Sequence, residues 1–239
     1  MASTAGEHIV KSYDDELTRL TGEIQRMGQL ALAELEAAME AVVDRDVDAA
    51  ERVVHMDPEI DRIEHDVSHD VVRLLALRQP MARDLREVLA AIRIAADIER
   101  IGDYAANIAK RSVIVSASAP VSAANVLPRL ASLAAELVRE VLAAYDTRDA
   151  HRALEAWDRD EELDELYTGL FRELLTYMME DPRNITPSTH LLFMAKNLER
   201  IGDHATNIAE SVYYVVTGTP LEQERRKGDL SSTLIVPSA

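Results

Sequence analysis

Glu99 and Asp103 stand four residues apart, and so do Glu199 and Asp203, each pair inside a copy of the same segment. Residues 97–110 read DIERIGDYAANIAK and residues 197–210 read NLERIGDHATNIAE, identical at nine of fourteen positions. An α-helix turns about 100° per residue, so residues four apart share a face, and Asn107 and Asn207 extend the same stripe. Acidic residues at this spacing repel one another unless solvent or a cation intervenes. Hard cations take carboxylate oxygen readily, so magnesium, manganese or iron, divalent or ferric, suit such a set better than zinc. The chemistry on offer is metal binding, with Asn107 and Asn207 able to hydrogen-bond ligand carboxylates from outside. Ordinary interhelical hydrogen bonding would account for the two asparagines equally well.

A second acidic pair precedes each copy: Asp57 and Asp61 in the first half, Asp160 and Asp164 in the second. If each half folds as an antiparallel hairpin, residues at equal height have numbers with a constant sum, because both helices rise about 1.5 Å per residue. Asp57 then pairs with Asp103 and Asp61 with Glu99, about a turn centred on Pro80. Asp160 pairs with Asp203 and Asp164 with Glu199, about a turn beside Pro182. Two hairpins therefore bring four carboxylates each to one level. Asp57 has an equally good reading as the cap of a helix that Pro58 starts.

Other residues near these rows have plainer readings. Arg100 and Arg200 point about 100° away from the glutamates they follow and are expected as surface salt-bridge partners. Gly102 and Gly202 each disfavour the helix by roughly 1 kcal/mol relative to Ala, which fits close helix approach beside the rows. His65 and His69 continue the Asp57/Asp61 stripe but read as exposed helix histidines. His204 has Tyr104 as its counterpart, so a shared ligand role is not expected. Trp157, Tyr213 and Tyr214 read as packing residues. No GxGxxG, P-loop, GxSxG or HExxH occurs, so no catalytic residue is expected.

Apolar residues recur at helical spacing almost throughout the 239 residues. Helices are predicted near 7–44, 48–78 with a break at Asp57–Pro58, 81–115, 128–146, 149–179 and 188–216. The fold class is all-α: two tandem, pseudo-symmetric three-helix bundles. The first bundle is expected over residues 1–116, a linker over 117–127, the second bundle over 128–217 and a mobile tail over 218–239. The absence of cysteine excludes disulfides, thiolate metal sites and cysteine nucleophiles, and is compatible with a reducing cytoplasm. A net charge of −17 is unsuited to nucleic acid or to docking on anionic lipid. Neither a signal core nor a membrane-spanning run is expected.

The stretches QPMARDLREVLAAIRIAADIERIGDYAANIAKR at 79–111 and HLLFMAKNLERIGDHATNIAE at 190–210 resemble the PhoU family of phosphate-transport accessory proteins, a likeness that runs from the first helix to about residue 218. The resemblance implies two similar three-helix bundles whose E/DxxxD motifs bind metal, in some members as multinuclear clusters. It carries ligand roles most firmly onto Glu99, Asp103, Glu199 and Asp203, and less firmly onto Asp57, Asp61, Asp160 and Asp164. One departure is Asp97 in the first copy against Asn197 in the second, so an acidic contribution there cannot be common to both sites. The implied function is negative regulation of phosphate uptake and of phosphate-starvation signalling. The implied partners are a sensor histidine kinase, the ATPase subunit of a phosphate transporter and a second copy in a homodimer. The protein is expected in the cytoplasm, or at the inner membrane through those partners. A different class of function is a carboxylate-bridged metal enzyme or iron-storage bundle. That class wants Glu-x-x-His on core helices, and none of the seven histidines has Glu three residues before it. A third is an adaptor bundle without metal.

Overall fold

The computed structural model describes residues 3–56 and 58–222, with side chains from residue 13 onward. Asp57 lies outside the described residues, as does most of the expected tail, 223–239. Four helices build the first half: α1 (Ser3–Asp44), α2 (Val47–Val54), α3 (Pro58–Arg78) and α4 (Ala82–Ser116). Three build the second: α5 (Leu127–Thr147), α6 (Ala150–Glu180) and α7 (Ile185–Thr217). No strand occurs among the described residues, and none of their helices is long and apolar enough to cross a membrane. Together α2 and α3 are the interrupted helix expected at 48–78, which leaves six helices in the plan with one of them broken. The break follows from Pro58, which has no N–H and is suited to a first helical position. In the second half Glu161 stands at the corresponding place, and α6 runs through without interruption.

The two halves also share a turn that the sequence pattern alone did not reveal. Arg45 and Arg148 both take left-handed backbone angles, φ 55° and 52°, and Asp46 and Asp149 follow as N-caps of α2 and α6. The Asp46 carboxylate accepts from the Ala49 amide at 2.9 Å. That of Asp149 accepts from His151 and Arg152 at 2.9 and 3.1 Å, satisfying amides that have no partner inside the helix. The Arg45 guanidinium in addition donates to the carbonyls of Val115 and Ser116 at 3.0 and 2.9 Å, fixing the end of α4 to the start of α2.

Helices α4 and α7 form the centre. Ile94, Ile98, Ile101, Ala105 and Ile108 are buried on α4, and their counterparts Met194, Leu198, Ile201, Ala205 and Ile208 are buried on α7. The 100-residue repeat is thus a repeat of buried faces, and one apolar cluster runs through both halves. The two helices pack directly on each other and run antiparallel: Asp97 meets His204 and Asn207, whereas Arg111, further along α4, meets His190, earlier on α7. Around this pair α1, α2 and α3 pack on α4, while α5 and α6 pack on α7. A second seam joins α1 to α5. There a Cβ on Gly28 would run into Leu142 Cδ1, and Gln25 donates to the Leu142 carbonyl at 2.8 Å.

Two loops are shorter than the sequence pattern indicates. The linker holds a short 3-10 turn, Ser122–Val126, that runs directly into α5. Helix α7 begins at Ile185 and not near residue 188, because Pro187 falls in its first turn, where a missing N–H leaves no hydrogen bond unmade.

Candidate metal centres

Each acidic row lies between the second and third helices of its half. In the second half a Cβ on Gly202 of α7 would lie 2.5 Å from Asp160 Oδ1 and would run into Leu163 Cδ2 of α6. Gly202 is therefore where α6 comes close, and the contact with Asp160 is within one residue of the register that equal helix rise predicts. Asp160, Asp164 and Glu199 are all buried, Glu199 only 3% exposed, and Asp203 is half-buried on the same stripe. Burial pushes the Glu199 carboxyl up to about 7. The hydrogen bond from Lys196 opposes the rise, and the neighbouring charges of Asp203 and Asp164 add to it. Lys196 Nζ donates to Glu199 Oε1 at 2.8 Å, while the buried Glu199 Oε2 has no hydrogen-bond partner. A buried oxygen left this way favours either a proton or a cation.

The first row is more open. Asp61 is exposed, and the side chains of Glu99 and Asp103 are 25% and 37% exposed. The Glu99 carboxyl is raised by burial first and then by Asp103, against the pull of Arg100, with smaller contributions from Asp61 and Glu64. Arg100 does form salt bridges, but with the row itself: its guanidinium lies 3.3 Å from Glu99 and 3.0 Å from Asp103. A long side chain folds back over its neighbours however its Cβ points, which is why helical angle alone did not place it. Arg200 instead lies over the ring of Tyr104 across the seam.

The other residues singled out by spacing stand around the rows and along the seam. Asn207 Nδ2 donates to Asp97 Oδ1 at 3.2 Å, so it bridges the two halves. The same Asp97 oxygen is 2.7 Å from His204 Nδ1, and His204 packs against Tyr104. The Asp97/Asn197 difference is thus put to use at the α4–α7 seam. Asn107 is half-buried on α4, and His65 and His69 are exposed on α3. Trp157 is a core residue whose indole donates to Glu210 at 3.0 Å. Spacing missed Lys196, whose counterpart is Ala96, and Glu64, which sits within the field of Glu99. Comparing the two copies one residue before the repeated segment would have exposed the first. Nothing in the pattern distinguishes the second from a surface glutamate.

The donor set, all oxygen, fits a hard cation. Glu199, Asp203, Asp160 and Asp164 would hold it in one half, and Glu99, Asp103 and Asp61 in the other. As the side chains stand, no three acidic or imidazole groups among the described residues converge on a metal-sized point, so loading requires rotamer changes. A bound divalent ion would supply the charge that these carboxylates lack and would draw off the proton that Glu199 retains near neutral pH.

With this geometry in view, the chain's relatives agree with both its fold and its doubling. The PhoU domain matches it twice, over residues 24–112 and 127–212. The phosphate-specific transport system accessory protein PhoU homolog of Xylella fastidiosa (strain 9a5c) is 56% identical over 98% of this chain and 99% of its own length. The homolog of the same description from Rhizobium meliloti is 50% identical over 95% of this chain and 96% of its own. The crystal structure of PhoU from Pseudomonas aeruginosa superposes with a TM-score of 0.83 at 37% identity, covering 87% of this chain and all of that one. A phosphate transport system regulatory protein PhoU from Streptococcus pneumoniae gives 0.81 at 29% identity, over 88% of this chain. Two domain matches on two bundles, and relatives aligned nearly end to end, place the chain in the PhoU family.

Proposed function

We propose that this protein is a negative regulator of phosphate uptake and of phosphate-starvation signalling that works through protein contacts, with metal ions held in its two acidic rows. The observation that carries the reading is the nearly end-to-end match to phosphate-transport accessory proteins, at 56% identity in the first case. The duplicated carboxylate rows supply its chemical side. The residues support contacts rather than catalysis: cysteine is absent from the chain, and its sequence carries no nucleotide-binding or nucleophile motif. The net charge of −17 is unsuited to direct contact with a promoter. Long exposed faces on α1, α3 and α6 suit the docking of partner domains, and the reading assigns those partners as the phosphate-responsive sensor kinase and the ATPase subunit of the phosphate transporter. In the cell the protein would act in the cytoplasm, as a homodimer, or at the inner membrane through those partners.

Deleting the gene is expected to switch on a phosphate-starvation reporter, such as alkaline-phosphatase output, in phosphate-rich medium, and the wild-type chain supplied in trans should silence it again. A reporter that stays silent in the deletion strain contradicts the regulatory reading. Metal-dependent turnover of a small substrate by the purified chain, lost in the metal-site variants, would replace it with the enzyme reading.

A further inference from the structure

The two copies of the signature helix differ in charge one residue before the repeated segment, at Ala96 in the first and Lys196 in the second. Ala96 is exposed and carries no charge. Lys196 reaches into the second row: its ammonium donates to Glu199 Oε1 at 2.8 Å and lies 5.0 Å from the centroid of the Tyr167 ring. Tyr167 is itself buried, and the Glu199 side chain is only 4% exposed. The ammonium is therefore held by a buried carboxylate on one side and an aromatic face on the other, an arrangement that favours a cation. The first row has a different attendant. Arg100 spans Glu99 and Asp103, but its own side chain is 56% exposed and its carboxylates are partly wet, so it leaves for water with little loss.

We infer that Lys196 is a tethered cation standing in the second row where a metal ion would sit, so that the two rows load metal in a fixed order, the first before the second. The inference rests on the metal-binding reading of the two rows. A divalent ion entering between Glu199, Asp164 and Asp203 meets a positive charge already bonded to Glu199, and like charges at such range oppose each other strongly in a poorly solvated site. Metal enters the second row only as the lysine side chain swings out and gives up both its carboxylate and its tyrosine. In the first row Ala96 presents no such barrier. Two sites that share nine of fourteen residues thereby become a tight site and a graded one, and the graded one responds to metal supply over a higher range.

The test is a titration of the full-length, metal-free protein with manganese(II), followed by calorimetry and by the electron paramagnetic resonance signal of free manganese. Wild type is expected to show a tight and a weak class of sites. Lys196→Met keeps the aliphatic stem and removes the charge, and should tighten the weak class about tenfold or more while leaving the tight class where it was. Lys196→Arg restores a positive charge and should return the weak class to low affinity, which a merely structural role for the lysine stem does not predict. Asp203→Asn should remove the weak class alone. Both classes unmoved in Lys196→Met, with manganese still bound, overturns the lysine inference and leaves the metal reading intact. No manganese bound by wild type or by any variant overturns the metal reading itself. Should Lys196→Met fail to fold, Lys196→Gln repeats the comparison, and a single class of equivalent sites in wild type already contradicts ordered loading.

Discussion

Replacing Asp103 and Asp203 together by alanine is expected to strip the purified protein of most of its bound metal. Each aspartate lies four residues beyond its glutamate on a signature helix, and each belongs to the half-buried part of its row. Alanine removes both oxygens without asking a helix to accept a poorer former. The carboxylates that remain have too few donors to hold a hard cation against water. Elemental analysis after exchange into metal-free buffer measures the effect, and unchanged metal content in the double variant rules out the assigned rows. The same variant should be at least as stable as the metal-free wild type, because it relieves the repulsion between acidic neighbours one turn apart. With metal in excess the order should reverse, since only wild type gains from binding.

The second large effect concerns Glu199 and pH. In the metal-free protein Glu199→Gln is expected to raise stability by roughly 3 kcal/mol above neutral pH, and by nothing near pH 4. The Glu199 carboxyl titrates at about 7 in the folded chain against an ordinary 4.5. Below 4.5 folded and unfolded chains both hold the proton, so the group leaves stability unchanged. Between 4.5 and 7 the unfolded chain releases it first, and wild type loses stability as pH rises. Above 7 both states are ionised and the penalty levels off. Glutamine keeps an acceptor for Lys196 and carries no charge to bury. Urea unfolding of both proteins across this range, with a chelator present, measures the difference. A gap that stays constant with pH contradicts the assigned burial of the charge.

Much of this architecture is written in the chain. The repeated segment at 97–110 and 197–210 announces two related helices, and the break at Pro58 and the wrap at Pro80 are legible from the chemistry of proline alone. The level at which Asp160 approaches Gly202 follows, to within one residue, from nothing more than equal helical rise. Three features were not legible, each for a physical reason. Which face of α4 meets which face of α7 is decided by packing between halves, and an amphipathic pattern names a buried face without naming its partner. That packing is what turns Asn207 and His204 toward Asp97. The unequal burial of the two rows is also invisible in the motifs, which are alike. It arises where α6 runs unbroken past Asp160 and Asp164 while the corresponding stretch of the first half is split at Pro58. Finally, Arg100 and Lys196 enter the rows along flexible side chains, whose reach exceeds what a helical wheel describes.

Anomalous scattering from crystals grown with manganese or iron, recorded on both sides of the metal absorption edge, locates each bound ion directly. Anomalous density is expected between α3 and α4 beside Glu99, Asp103 and Asp61, and at higher metal concentration between α6 and α7 beside Glu199 and Asp164. Density elsewhere on the molecule, or none at either row in crystals whose protein carries metal by elemental analysis, would contradict the two-site assignment.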